Sequence, residues 1–274
     1  MRFYALNQGQ AGDLVINTVA ARLFKKVLPN DTLIMNVNKR YIDLVPLFLN
    51  HPHIDGVHIW DGYDKFSEID MKWKNSLRDG VIMNPMPPHS RNDWYLHYHQ
   101  AEECCYQNGL LITDLLNGDF SCHLNPWFDI PHFSKHIAFA PFAGFYNKGN
   151  KKKLTTENAQ KIANMIVDMG YVPLQIGGPD EPLLDGCELP LDKTFFGSVK
   201  YMLGCKALIT TDTFTSWAAS AYKFPTLGLY SNEYYGKEYV KNIQPINPLA
   251  LYLDNVNVND ISLDLIRETL KLLL

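Results

Sequence analysis

The stretch Phe3-Tyr4-Ala5-Leu6-Asn7-Gln8-Gly9-Gln10-Ala11-Gly12-Asp13-Leu14-Val15-Ile16 decides the fold. From Arg2 to Leu6 it reads as a short strand, Gly9 to Asp13 as a glycine-containing turn, and Ile16, Val19, Ala20, Leu23 and Val27 then recur at helical spacing. Lys25 and Lys26 suit the negative end of the helix dipole, and Pro29 with Asn30 stops the helix. A strand that hands directly to a helix, followed by another strand at Thr32–Val37, is the opening unit of a parallel α/β sheet.

Outward from that unit the alternation continues. A helix is predicted over Arg40–Leu49, a strand over Val57–Trp60, a helix over Ile69–Leu77, a strand over Gly80–Met83 and an aromatic, histidine-rich helix over Trp94–Tyr106. Between about Asn117 and His136 the periodicity lapses into polar and proline-containing stretches. This places a boundary between an N-terminal domain, residues 1–125, and a C-terminal domain, residues 126–274.

The alternation then restarts, with a strand at His136–Ala140, a helix capped by Thr155 or Thr156 and stopped at Gly170, and a strand at Tyr171–Ile176. Ser198 is expected to cap a short helix. Ala207–Thr211 reads as a strand, Asp212–Lys223 as a helix, Thr226–Tyr230 as a strand and Leu263–Leu274 as a closing helix.

Bulk properties bound the function. A chain of 274 residues is comfortable for two domains, and 46% apolar with 20% charged residues excludes a disordered or fibrous class. A net charge of −4 provides no global attraction for nucleic acid or an anionic membrane, so neither nucleic-acid binding nor more than peripheral membrane contact is expected. The five cysteines form no CxxC pair and no zinc spacing, which fits free thiols in a reducing compartment. The N-terminus lacks the basic, apolar and small-residue succession of a secretion signal, and no apolar run approaches the ~18 residues of a membrane span. A cytoplasmic protein is expected.

Four constellations could carry chemistry. Gly12-Asp13 sits where the first strand hands over to the first helix, so Asp13 either points into a ligand crevice or caps the helix. The third glycine of a dinucleotide fingerprint is absent, and no nicotinamide or other cofactor is expected. Asp212-Thr213-Phe214-Thr215-Ser216 is a second strand-to-helix junction, suited to a diphosphate or to ordinary capping. Lys148, Lys151, Lys152 and Lys153 crowd a loop from which an ammonium could reach phosphate oxygens, or which is merely solvated. His89, Trp94 and Tyr98, with His97, His99 and Tyr95, could form a sugar-stacking acceptor surface or line an internal face. His97 and His99 are two residues apart, which does not set two metal ligands on one helix face, and no metal site is expected.

Taken in order, these segments resemble glycosyltransferase family nine, the lipopolysaccharide heptosyltransferases. Gly12-Asp13 through Lys25-Lys26-Val27-Leu28-Pro29 is similar to the family's first loop and helix, and His51-Pro52-His53-Ile54-Asp55 to its Asn-Pro-x-Ile-Asp segment. Lys152-Lys153-Leu154-Thr155-Thr156-Glu157 resembles its Lys-x-Trp-Pro-x-Glu helix entry. Gly177-Gly178-Pro179-Asp180-Glu181 resembles its Gly-Gly-Pro-x-Glu turn, and Asp212 to Trp217 its Asp-Thr/Ser-Gly-x-x-His junction. Phe214 stands at the family's glycine, Trp217 at its histidine and Leu154 at its tryptophan.

The resemblance implies a GT-B fold, two Rossmann-like domains with parallel sheets facing an interdomain cleft. It also implies an inverting, metal-independent transfer of a sugar, a heptose by resemblance, from a nucleotide-diphosphate donor to a glycan or lipid-linked saccharide. An ADP-sugar is the donor it favours. Asp13 would be the general base and Lys152 would neutralise the leaving diphosphate. Gly12, Lys148, Gly177, Gly178, Asp180, Asp212, Thr213, Phe214, Thr215 and Trp217 would hold the donor, and His89, Trp94 and Tyr98 the acceptor. A non-catalytic nucleotide-sugar or glycan-binding module and a GT-B sugar epimerase are the alternatives.

Overall fold

The computed structural model describes residues 3–6, 11–60, 81–83, 99–107, 110, 113–124, 128–142, 152–233 and 236–274. Its contacts divide the chain into two compact units, Met1–Pro126 and Trp127–Leu274. Each is an α/β unit built on a parallel sheet.

In the first unit the strands are β1 (Phe3–Leu6), β2 (Thr32–Asn38), β3 (Gly56–Trp60) and β4 (Val81–Met83). They lie in the order β3-β2-β1-β4, with every pairing parallel. Helix α1 (Ala11–Val27) follows β1, as its spacing predicts, but it is buried on more than one face, since Asn17, Thr18 and Ala21 are covered along with Leu14, Ile16, Val19 and Leu23. Helix α1 is flanked by a further helix, described over Gln100–Gln107, whose Cys104 thiol donates to Asn17 Oδ1 at 3.0 Å. Val27, expected on the apolar stripe, is instead exposed at the helix end.

The regular helix predicted for Arg40–Leu49 is replaced by a 3₁₀ stretch, Lys39–Leu44, kinked at Tyr41, and a single α turn, α2 (Val45–Phe48). Asn38 caps the 3₁₀ start through Arg40 N, and Pro46, which has no N–H to donate, fits only the first turn of a helix, so the α segment begins beside it. The helix over Gln100–Gln107 is α3; His99 precedes it, and residues 94–98 of its predicted span and the helix expected over Ile69–Leu77 lie outside the described residues.

The second unit holds β5 (His136–Ala140), α4 (Thr156–Asp168), β6 (Val172–Gln175), α5 (Phe195–Gly204), β7 (Leu208–Thr211), α6 (Phe214–Ala221), β8 (Thr226–Ser231), β9 (Ala250–Asn255) and α7 (Leu263–Leu273). The sheet order is β6-β5-β7-β8-β9, again all parallel. Its core joins Ile137 and Phe139 of β5, Ile209 of β7 and Leu227 and Leu229 of β8 to Ile162 and Ile166 of α4 and Ile266 and Leu270 of α7. Burial of this kind stabilises by about 25 cal/mol per Å² of apolar surface. Thr155 is the N-cap of α4, its hydroxyl accepting from Asn158 N at 3.2 Å, and Gly170, at φ 84°, takes the left-handed turn that ends the helix.

One sequence expectation needs correction here, and one strand was not foreseen. Ser198 does not cap a helix; it is buried inside α5, whose cap is Thr194, accepting from Gly197 N at 2.9 Å. Asp192 holds that threonine by accepting from Thr194 N, so the cap is set by residues upstream of Ser198. Strand β9 is an addition, partly exposed along its whole length at the sheet edge, where the alternation is weak. Gly228 on β8 makes room beside it, because a Cβ there would collide with the rings of Tyr230 and Tyr252.

Candidate functional site

In an open parallel sheet, ligands bind beyond the carboxyl ends of the strands, at the point where the chain reverses its direction of winding. The first unit winds outward from β1 to β2 and β3 and returns to β4 on the far side of β1, so its switch point lies between β1 and β4. Gly12 and Asp13 occupy the first turn of α1, the next element described after β1. Asp13 is partly exposed and lies inside the helix, at its positive end.

In the second unit the chain winds from β5 to β6 and returns to β7, so the switch point lies between β5 and β7. The loop after β5 is drawn back to its strand by Leu154 N, which donates to Pro141 O at 3.3 Å. Asp212 is the first residue after β7. The structure brings these two sides together: Lys152 Nζ donates to Asp212 Oδ2 at 2.9 Å. Both side chains are largely buried, at 18% and 17% exposure, where a charge pair is screened less than at the surface.

Around this pair the hydroxyls of Thr210, Thr213 and Thr215 bond to one another at 2.7 to 3.0 Å. Thr213 is the N-cap residue of α6 but makes no side-chain capping bond, because its hydroxyl is turned into that cluster. The helix therefore starts without the acceptor a threonine cap would ordinarily supply to its first amides, which is what an anion at a helix N-terminus requires.

Beside β5, strand β6 is followed by Gly177 and Gly178. Gly177 leaves room for the carboxyl group of Glu181, which a Cβ there would displace. Sequence reasoning gave Glu181 no role, although it is the last residue of the Gly-Gly-Pro-x-Glu turn. Its burial pushes the carboxyl up to about 7 against a hydrogen bond from the Gly178 backbone, and its Oε2 is buried without a hydrogen-bond partner. A second missed residue is Asn259, whose Oδ1 accepts from Thr155 N at 2.7 Å while its Nδ2 donates to Lys153 O at 3.1 Å, tying down the segment that carries Lys152.

The remaining expected residues divide. Asp180 and Gly178 are exposed on the turn after β6. Phe214 packs edge-on against Phe195, with ring centroids 5.3 Å apart. Trp217, expected to help hold the donor, is only 4% exposed, so its indole surface is spent inside the fold. Gly9, Lys148, Lys151, His89, Trp94, Tyr95, His97 and Tyr98 lie outside the described residues. Among the described residues no group of three His, Cys, Asp or Glu could hold a metal ion, and no helix is long and apolar enough to cross a membrane.

The segment His51–Asp55 owes its pattern to structure. Asp55 Oδ2 accepts from Leu33 N at 2.7 Å and from Lys25 Nζ at 2.6 Å, and Asp55 N donates to Leu33 O at 2.9 Å. Burial pushes the Asp55 carboxyl up, but these partners outweigh it and hold the group below its ordinary value. Buried His51 shares its Nε2 with His123 O at 3.0 Å, and desolvation lowers the ring's pKa to about 4.

No protein-family model and no curated protein matches the sequence. Solved structures do. The glycosyl transferase family 9 protein from Veillonella parvula is similar at a TM-score of 0.74 and 14% identity, over 99% of this chain and 96% of its own. ADP-heptose lipopolysaccharide heptosyltransferase II of E. coli is similar at 0.71 and 15%, over 100% and 98%. E. coli heptosyltransferase WaaC with ADP is similar at 0.67 and 10%, over the whole of both chains. At such identity the likeness establishes the fold, and it is the GT-B α/β architecture expected from the sequence.

Proposed function

We propose that the protein is an inverting, metal-independent glycosyltransferase that moves a sugar from a nucleoside-diphosphate donor to a saccharide or glycolipid acceptor. The observation that carries this reading is the Lys152–Asp212 pair at the switch point of the second sheet, beside a helix N-terminus that lacks a side-chain cap. The neighbours of the same fold support it, since one was solved with ADP and another with an ADP-2-deoxy-2-fluoro heptose. An ADP-sugar is accordingly the proposed donor.

In the proposed reaction Asp13 takes the proton of an acceptor hydroxyl as its oxygen attacks the anomeric carbon. The bond from that carbon to the diphosphate oxygen breaks on the opposite face, and its electron pair leaves with the diphosphate. Lys152 and the amides of the Asp212–Thr215 junction neutralise the charge that grows there, which is electrostatic stabilisation of the transition state without a metal. The unpartnered Glu181 oxygen, on the turn after β6, is an acceptor suited to a hydroxyl of the nucleotide. The donor is assigned to the second unit and the acceptor to the first.

Titration of the protein with ADP, GDP, UDP, CDP and dTDP tests the donor reading. Binding of one of them with micromolar to millimolar affinity is expected, and no heat with any member sinks it. A binding module without catalysis is the second reading, favoured by Phe214 and buried Trp217 standing where the resembled family has glycine and histidine. Sugar transfer or donor hydrolysis that disappears in Asp13→Ala, with diphosphate binding retained, rules that module out.

A further inference from the structure

We infer that Asp212 is a counter-ion latch, a positioning residue that competes with the donor's diphosphate for Lys152 and helps to expel the product. This rests on the donor reading above. The geometry poses a conflict that a simple list of donor ligands does not resolve. Lys152 is already engaged by a carboxylate at 2.9 Å, and that carboxylate stands at the mouth of α6, where the diphosphate has to sit.

A diphosphate and a carboxylate repel one another in a largely buried site, so both cannot share the lysine without cost. Binding of the donor therefore exchanges one partner of Lys152 for another. The pair contributes to holding the ammonium in place while the site is empty, since a largely buried charge is costly without counter-charge. The Thr210, Thr213 and Thr215 hydroxyls bond to one another and Thr210 also donates to Thr211 O at 3.0 Å, so their protons are engaged away from Asp212.

After transfer the situation reverses. The leaving diphosphate carries more negative charge than it did as a sugar ester and binds Lys152 tightly. Asp212, directly after β7, is placed to take the ammonium back. Without such a competitor, product release would slow, a step that limits many enzymes.

The test compares wild type with Asp212→Asn and Asp212→Glu, by titration with ADP and with uncharged adenosine, and by thermal unfolding with and without ADP. Asp212→Asn keeps the side-chain shape and removes the charge. It is expected to melt at lower temperature when empty, to bind ADP about tenfold more tightly, and to gain more stability from ADP than wild type does. Adenosine affinity should stay unchanged, and Asp212→Glu should restore wild-type ADP affinity. In turnover, Asp212→Asn should lower the donor KM and kcat together and strengthen inhibition by ADP.

A purely structural role for Asp212 would lower stability and weaken both ligands alike, which overturns the latch. So does ADP affinity in Asp212→Asn equal to or below wild type. If another nucleoside diphosphate is the one that binds, it and its nucleoside replace ADP and adenosine. If neither wild type nor Asp212→Asn binds any diphosphate, the donor reading itself fails and the latch falls with it; binding by Asp212→Asn alone supports both.

Discussion

Asp13 and Glu181 both follow strands of a parallel sheet on its carboxyl side, yet their surroundings differ. Asp13 is partly exposed in the first turn of α1, at the positive end of the helix, and the proposed role of general base asks for a carboxylate open to an acceptor hydroxyl. Asp13→Asn should reduce transfer by about 10² to 10⁴ fold while leaving ADP affinity unchanged, as measured by kcat and by titration. Glu181 is instead raised by burial from its ordinary value of 4.5 to about 7, so the fold favours its protonated form. Between these two values the unfolded chain has lost the proton and the folded chain keeps it. Wild type should therefore lose stability relative to Glu181→Gln as pH rises from about 4.5 to about 7, with no further divergence above. Urea unfolding of the two proteins across pH reads this directly, and parallel profiles would remove Glu181 from the account. Asp13 was visible in the sequence from its place after the first strand. Glu181 was not, because the glycine that admits its carboxyl shows its purpose only in three dimensions.

Elements were legible wherever apolar periodicity was strong. The strands on either side of each switch point and helices α1, α4 and α7 all follow from spacing of Val, Ile, Leu and Ala. The reading failed where side-chain bonding competed with periodicity, as at the Asn38 cap and Pro46, at Thr194, and along partly exposed β9. It also could not reveal Asn259, whose partners Lys153 and Thr155 lie more than a hundred positions away. That contact binds the start of α4 to the 3₁₀ turn Val258–Asp260 and so holds the segment leading from Lys152. Asn259→Ala should cost about 1 to 3 kcal/mol of stability, seen in denaturant unfolding, and weaken ADP binding severalfold. Thr155→Ala, which removes the α4 cap, should cost about 1 kcal/mol. A loss of stability without any change in ADP affinity in Asn259→Ala would show that the turn supports the helix alone and leaves Lys152 unaffected.

At the scale of the whole molecule, the chain carries two parallel sheets of different winding, 3-2-1-4 in the first unit and 2-1-3-4-5 by order of appearance in the second. Each unit has its own helices and its own switch point, which is why the motifs were found in two separate sets along the sequence. The division of labour proposed for them makes a further prediction. Lys152, Asp212, Glu181, Asn259 and the start of α6 all belong to the unit Trp127–Leu274, and its core of β5, β7 and β8 against α4 and α7 is drawn from that unit alone. A fragment spanning residues 127–274 should therefore unfold cooperatively on its own and bind ADP with an affinity within about tenfold of the full chain. It should show no transfer, because Asp13 is absent. Circular dichroism and titration of the fragment check both halves of the statement. A fragment that folds but does not bind ADP, beside a full chain that does, would mean that residues of Met1–Pro126 complete the donor site. The assignment of donor to one unit and acceptor to the other would then have to give way to a shared donor site.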